Sequence, residues 1–289
     1  MDLTLISQAL ISGLLSSGLY ALVAVGLALA IGVIGIVNFA HGEFFMVGAF
    51  LTFQLAITFG LDPLVSLLIV APALFILGAL LYRTTVHYVL GAPELNQMLL
   101  TFGLGIILQN LALLIWGGDP RTVPSIPYRS LSFRLGDLSV GAVMLGSFVI
   151  SILLVGILYW MLFHTPFGRS MRAVAQNRIG ASLVGLEVDR TYLLTFAISA
   201  ALAGIGGVMI AVIQSPTPVV GLAYTLKAFA IVVLAGLGNI RGIIWASLFV
   251  ALAESLVANL VPNGDSLRNA VFFAIIFAVL IVRGQRTAA

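Results

Sequence analysis

Two ionisable side chains, His41 and Glu43, stand two residues apart in the polar knot Asn38-Phe39-Ala40-His41-Gly42-Glu43, between long apolar stretches. Charge placed within a membrane segment is costly, so such residues mark ion or substrate paths by default. The bland alternative is a short turn whose side chains reach headgroups. Glu254, within Ala251-Leu252-Ala253-Glu254-Ser255-Leu256, is the more surprising charge and must face a protein interior, find a donor or be protonated. Lys227, the only lysine, could pair with it, but snorkelling outward is the expected outcome. Gln109, Asn110 and Asn239 are neutral polar groups inside or beside apolar runs. Together with Asn38, His41, Gly42, Glu43 and Glu254 they are the candidate translocation pathway.

Other chemistry is excluded by type and spacing. The three histidines, His41, His87 and His164, sit far apart, so no His-Glu-x-x-His zinc pattern forms and no metal site is expected. There is no Gly-x-Ser-x-Gly elbow and no cysteine, hence no thiol nucleophile, disulfide or Cys-based cluster. Nor is there a Gly-x-x-x-x-Gly-Lys-Ser/Thr loop, so any ATP and its Mg belong to another polypeptide. The chain is not expected to be an enzyme.

The elements that hold these residues follow from composition. The 289 residues are 61% hydrophobic and 8% charged, with a mean hydropathy of +1.20. A soluble domain carries about 25% charged residues, so this is an integral membrane protein. The net charge of +3 and pI near 9.5 come from scattered interfacial arginines, with no basic face for nucleic acid. The start, Met1-Asp2-Leu3-Thr4-Leu5, lacks a basic n-region, so the first apolar span is expected to direct insertion itself.

Residues 3–37 carry no charge. They predict a full helix and a second apolar piece that breaks around Gly32, Gly35 and Asn38. Further spans are expected at 44–59, 64–82 (kinked at Pro72), 98–116, 140–163, 191–213, 223–236, 243–260 and 267–282. This is an all-α polytopic membrane protein of about nine (8–10) transmembrane helices, one domain over 1–289, with broken or re-entrant segments near 32–43 and 236–242. Four-spaced small residues, Gly13-Ser17-Ala21 and Ser199-Ala203-Gly207-Ala211, predict close helix packing. The segment 117–137, with Pro120, Pro124 and Pro127, reads as an irregular loop. A weak echo links Gly35-x-x-Asn38 with Gly236-x-Gly238-Asn239, as broken segments in two halves of a transporter do.

Residues 164–190 contain His164, Arg169, Arg172, Arg178, Glu187, Asp189 and Arg190. Such a segment belongs in water, and its arginines favour the cytoplasmic side. Alternation then places eight basic residues inside and five outside, with the N-terminus and the 117–137 loop outside and the C-terminus inside. The stretch reads as two short surface helices with a bend, large enough to present a surface to another protein.

The order of NFAHGE, Gly168-Arg169, Ala181-Ser182-Leu183-Val184-Gly185-Leu186, Asp189-Arg190, Lys227-Ala228-Phe229 and Gly236-Leu237-Gly238-Asn239-Ile240 closely resembles the permease subunits of branched-chain amino acid ABC importers. The likeness spans nearly the whole chain and fits the member of the permease pair that bears NFAHGE. It implies a heterodimer of two related permeases in the inner membrane, two cytoplasmic ATPase subunits and a periplasmic binding protein. Transport of branched-chain or other small neutral amino acids, urea or short amides is implied. Arg169, Arg172, Ala173, Gln176, Asn177, Arg178, Gly180, Leu183 and Gly185 then correspond to the ATPase-coupling segment. The ending Val282-Arg283-Gly284-Gln285-Arg286 and the Pro-rich loop after Trp116 depart from the family and leave the substrate open. An ion-coupled secondary transporter or channel would also explain the spans, but gives the arginine-rich segment no role.

Overall fold

The computed structural model describes residues 3–277 apart from 125, 237, 262, 263, 265, 266, 268, 269 and 276. Its first helix, α1 (Leu3–Leu29), passes directly into a π-helical turn, Ala30–Ile34. The expected two apolar pieces are therefore one helix. Gly13, Gly18 and Gly26 lie on packing faces instead of breaking it, and it stops at Gly35, whose φ of +81° is left-handed. Then come α2 (His41–Phe59), α3 (Pro63–Thr84), α4 (Glu94–Trp116), α5 (Ala142–His164), α6 (Pro166–Gln176), α7 (Arg178–Leu183), α8 (Val188–Ile213), α9 (Val220–Ala235) and α10 (Ile240–Leu260). Helix α3 runs through Pro72. Among the described residues, seven helices are long and apolar enough to cross a membrane.

Two expectations need correction. Helix α9 has 16 residues, which at a rise of ~1.5 Å each gives about 24 Å, short of the hydrocarbon core. It begins inside the bundle, against the start of α2, so the second break lies at 214–219. The break expected near 236–242 is present as a connection from α9 to α10, where the Asn239 N–H donates to the Gly236 carbonyl at 3.2 Å. Half of the ninth expected span, 267–282, falls outside the described residues, as do Met1, Asp2, Arg268, Arg283 and Arg286. The 117–137 loop is also more ordered than expected. It holds a 3-10 turn at 127–130 and a two-residue hairpin between β1 (Ser132–Leu135) and β2 (Leu138–Gly141), paired Arg134 to Ser139. Gly136 takes the left-handed turn position, and Gln8 of α1 holds Ser139 through both backbone groups.

Helices α1 and α8 are the most buried, with α2 packed on α8. Small residues allow this contact. A Cβ on Gly207 would overlap the Phe45 carbonyl, and one on Gly48 the Gly204 carbonyl. A Cβ on Gly13 would meet Leu252 Cα at 2.9 Å. Helices α3, α4 and α5 present Leu68, Ile76, Leu114, Ile115 and Trp160 outward, as lipid-facing helices do. The two ends of the bundle are tied separately. At one, the Tyr128 hydroxyl donates to Asp62 Oδ1 at 2.8 Å and the Arg121 N–H to the Pro216 carbonyl at 3.1 Å. Burial and the neighbouring Asp62 carboxylate push the Tyr128 phenol above its ordinary range. At the other end, Tyr82 and His87 both contact Asp189 Oδ1 at 2.7 Å, and Arg241 donates to the Tyr159 hydroxyl.

Candidate functional site

The backbone between α1 and α2 is non-helical yet buried, with Ile36, Asn38 and Ala40 at most 1% exposed. Irregular backbone survives in a membrane protein only where protein groups satisfy it. Here two threonines from other helices do so. The Phe39 N–H donates to Thr101 Oγ1 of α4, whose hydroxyl lies 3.2 Å from the Val37 carbonyl. The Gly42 N–H donates to Thr225 Oγ1 of α9 at 2.8 Å. Asn38 Oδ1 accepts from the Ala40 N–H, while its amide nitrogen has no partner.

His41 is fully buried, with Nε2 2.9 Å from the Val23 carbonyl. A carbonyl only accepts, so Nε2 carries the proton and the ring is held in one tautomer. Ser199 Oγ donates to the Gly26 carbonyl and lies 3.4 Å from Nδ1. His41 thus joins α2 to α1 and lies against Ser199 of α8, a fully buried position from which it does not reach headgroups.

Glu43 has a different setting. It lines a cleft of about 80 Å³ with Phe39, Phe102, Gly105, Ile106, Gln109 and Leu222. Its side chain is buried, yet Oε2 has no hydrogen-bond partner. A Cβ on Gly42 would overlap the Gly221 carbonyl, and a Cβ on Gly221 would overlap Glu43 Oε2. The two glycines let the starts of α2 and α9 touch beside the carboxylate.

The second buried carboxylate, Glu254, lies in a separate cluster. Lys227 Nζ stands 2.9 Å from both its oxygens, and the Tyr20 hydroxyl donates to Oε2 at 2.6 Å. The ammonium also faces the rings of Tyr20, Tyr224 and Phe272, at 4.8, 5.9 and 5.9 Å from their centroids. Lys227 therefore does not snorkel. Because α9 starts inside the bundle, Lys227 lies at mid-bundle, where Glu254 is the anion within reach.

The structure thus brings together Asn38, His41, Gly42, Glu43 and Gln109 of the expected pathway residues. It does not bring in the other three. Asn110 is exposed and bonds its own helix at the Ile106 carbonyl; Asn239 caps α10 through the Gly242 N–H; Glu254 belongs to the ion pair. Sequence reading missed Thr101, Thr225, Gly221, Gly105 and Tyr20, and had Ser199 only as a helix-packing residue. Only the four-residue spacing of Gly221 and Thr225 hinted at a shared helix face.

In 164–190, Thr165 caps α6 and Asn177 caps α7, so the bend falls between Gln176 and Arg178. Gly168, Met171 and Val174 pack inward, while Arg169, Gln176, Arg178, Leu183 and Gly185 are exposed; Ala173 and Gly180 are partly covered. Arg172 turns inward, donating to the Leu162 carbonyl and lying 5.0 Å from the Phe163 ring centroid. The outward face also carries Ile179, Leu183 and Val184, between 68% and 82% exposed. This apolar patch was legible only at Leu183.

Comparison with known proteins completes the assignment. No solved structure matches significantly. The permease protein BraD of the Pseudomonas aeruginosa high-affinity branched-chain amino acid transport system is 31% identical, covering 96% of this chain and 93% of that one. LivH of Salmonella typhimurium is 30% identical over 95% and 92%. LivM of the same organism is 27% identical over 83% of this chain and 61% of its own length. A family described as "Branched-chain amino acid transport system / permease component" matches residues 9–280. A bundle with two broken segments and no enzymatic constellation in its sequence, matched over nearly its whole length, belongs to that family of ABC-importer permease subunits.

Proposed function

We propose that this subunit carries small neutral amino acids, branched-chain ones first, across the inner membrane after delivery by a periplasmic binding protein. The cleft beside Glu43 carries this reading: Phe39, Phe102, Ile106 and Leu222 suit an apolar side chain, and Glu43 and Gln109 supply a few polar contacts. Phe102, Ile106 and Leu222 are also exposed, so the cleft opens on the surface of the single subunit. A carboxylate opening onto lipid would be expensive, which argues that a second, LivM-like permease covers this face.

The N-terminus and the 117–137 loop are assigned to the outside and 164–190 to the cytoplasm. Ile179, Leu183 and Val184, with Arg178 beside them, then form the contact for one of the two partner ATPases, which hold ATP and Mg. Proteoliposomes containing both permeases, both ATPases and the binding protein should take up leucine only with ATP inside. Leu183→Asp should abolish uptake while the complex still folds. Uptake without the ATPases would instead establish a secondary transporter or channel.

A further inference from the structure

We propose that Glu43 is the acceptor for the substrate's ammonium group, with Gly221 making room for its carboxylate beside the cleft. The inference rests on the amino-acid transport reading above. Glu43 is the third residue of α2 after the N-cap Ala40, the place where a glutamate ordinarily folds back to the N-cap N–H. That N–H is already taken by Asn38 Oδ1. The Glu43 carboxylate is 4% exposed as a residue, lines the cleft, and Oε2 has no donor. An acceptor buried without a partner costs about 1–3 kcal/mol, more when charged, so its persistence calls for a ligand.

The charge of that ligand follows from the surroundings. Helices α2 and α9 both begin here, and their N-terminal ends favour an anion. Glu43 already occupies the place of that anion. A second carboxylate beside it would be repelled, so the missing group is a cationic donor. The Lys227 ammonium cannot supply it, being held by Glu254 and Tyr20. The apolar wall from Phe102, Ile106 and Leu222 then takes the branched side chain, and the α-ammonium meets the Glu43 carboxylate at the edge of the cleft.

The test uses two half-substrates on the reconstituted complex of both permeases and both ATPases, without binding protein. Binding of 3-methylbutylamine (ammonium only) and 4-methylpentanoate (carboxylate only) is read by saturation-transfer NMR. The amine should bind and be displaced by L-leucine, and Glu43→Gln should weaken it by about tenfold or more, as loss of a charge-assisted hydrogen bond does. Glu43→Asp, which keeps the charge, should bind the amine better than Glu43→Gln. Binding of the carboxylate alone, equal amine binding in both variants, or no amine binding while ATP-driven leucine uptake proceeds would each overturn the proposal. Intact, Glu43-dependent amine binding without leucine uptake would leave the site standing and overturn the transport reading.

Discussion

Glu43 and Glu254 are both carboxylates buried in the bundle, 4% exposed each, and their surroundings differ completely. Glu254 has an ammonium at 2.9 Å, a tyrosine hydroxyl at 2.6 Å and aromatic rings closing the cluster. Glu43 has an oxygen without a donor and a cleft beside it. Burial alone therefore does not mark a functional charge. The difference is the counter-ion, since Glu254 Oε1 also makes no hydrogen bond: the carboxylate paired with Lys227 ties helices α1, α9 and α10 together, while Glu43 has no such partner and borders a cleft.

Stability measurements on the purified protein would break or sharpen this contrast. The largest effect is expected for Lys227→Met, which strands Glu254 and should cost roughly 3–5 kcal/mol, seen as loss of the monodisperse peak in size-exclusion chromatography. Adding Glu254→Leu should restore much of it. A single variant as stable as the parent would mean that the pair holds nothing. Gly42→Ala comes next. Its methyl would overlap the Gly221 carbonyl and push α9 off α2, for about 1–3 kcal/mol in thermal unfolding. Asn239→Ala removes the α10 cap and should cost about 1 kcal/mol with leucine uptake unchanged, since the residue lies apart from the cleft. Smallest is Glu43→Gln: with no partner at Oε2 to lose and an unpartnered buried charge removed, the unfolding free energy should stay the same or rise. A large destabilisation there would make Glu43 a second structural carboxylate and remove the contrast.

The sequence by itself determined much of this protein. Low charge and long apolar runs settled an all-α membrane bundle, because hydrocarbon admits a helix whose backbone bonds close within it. Glycine marked the helix end at Gly35, since such signals act within a few residues, whereas the caps at Asn177 and Asn239 came only from the structure. The polar knot stood out for the same local reason. What lay beyond sequence was every contact across the chain. Thr101 and Thr225 support the knot from 62 and 183 residues away, and Lys227 meets Tyr20 across 207. The short length of α9 was hidden because an apolar run of 16 residues resembles a span until its start is seen against α2. Whether a buried carboxylate is paired depends on which side chains other helices aim at it. That direction is set by packing of glycine against backbone, a property of the tertiary structure that residue types in one segment do not encode.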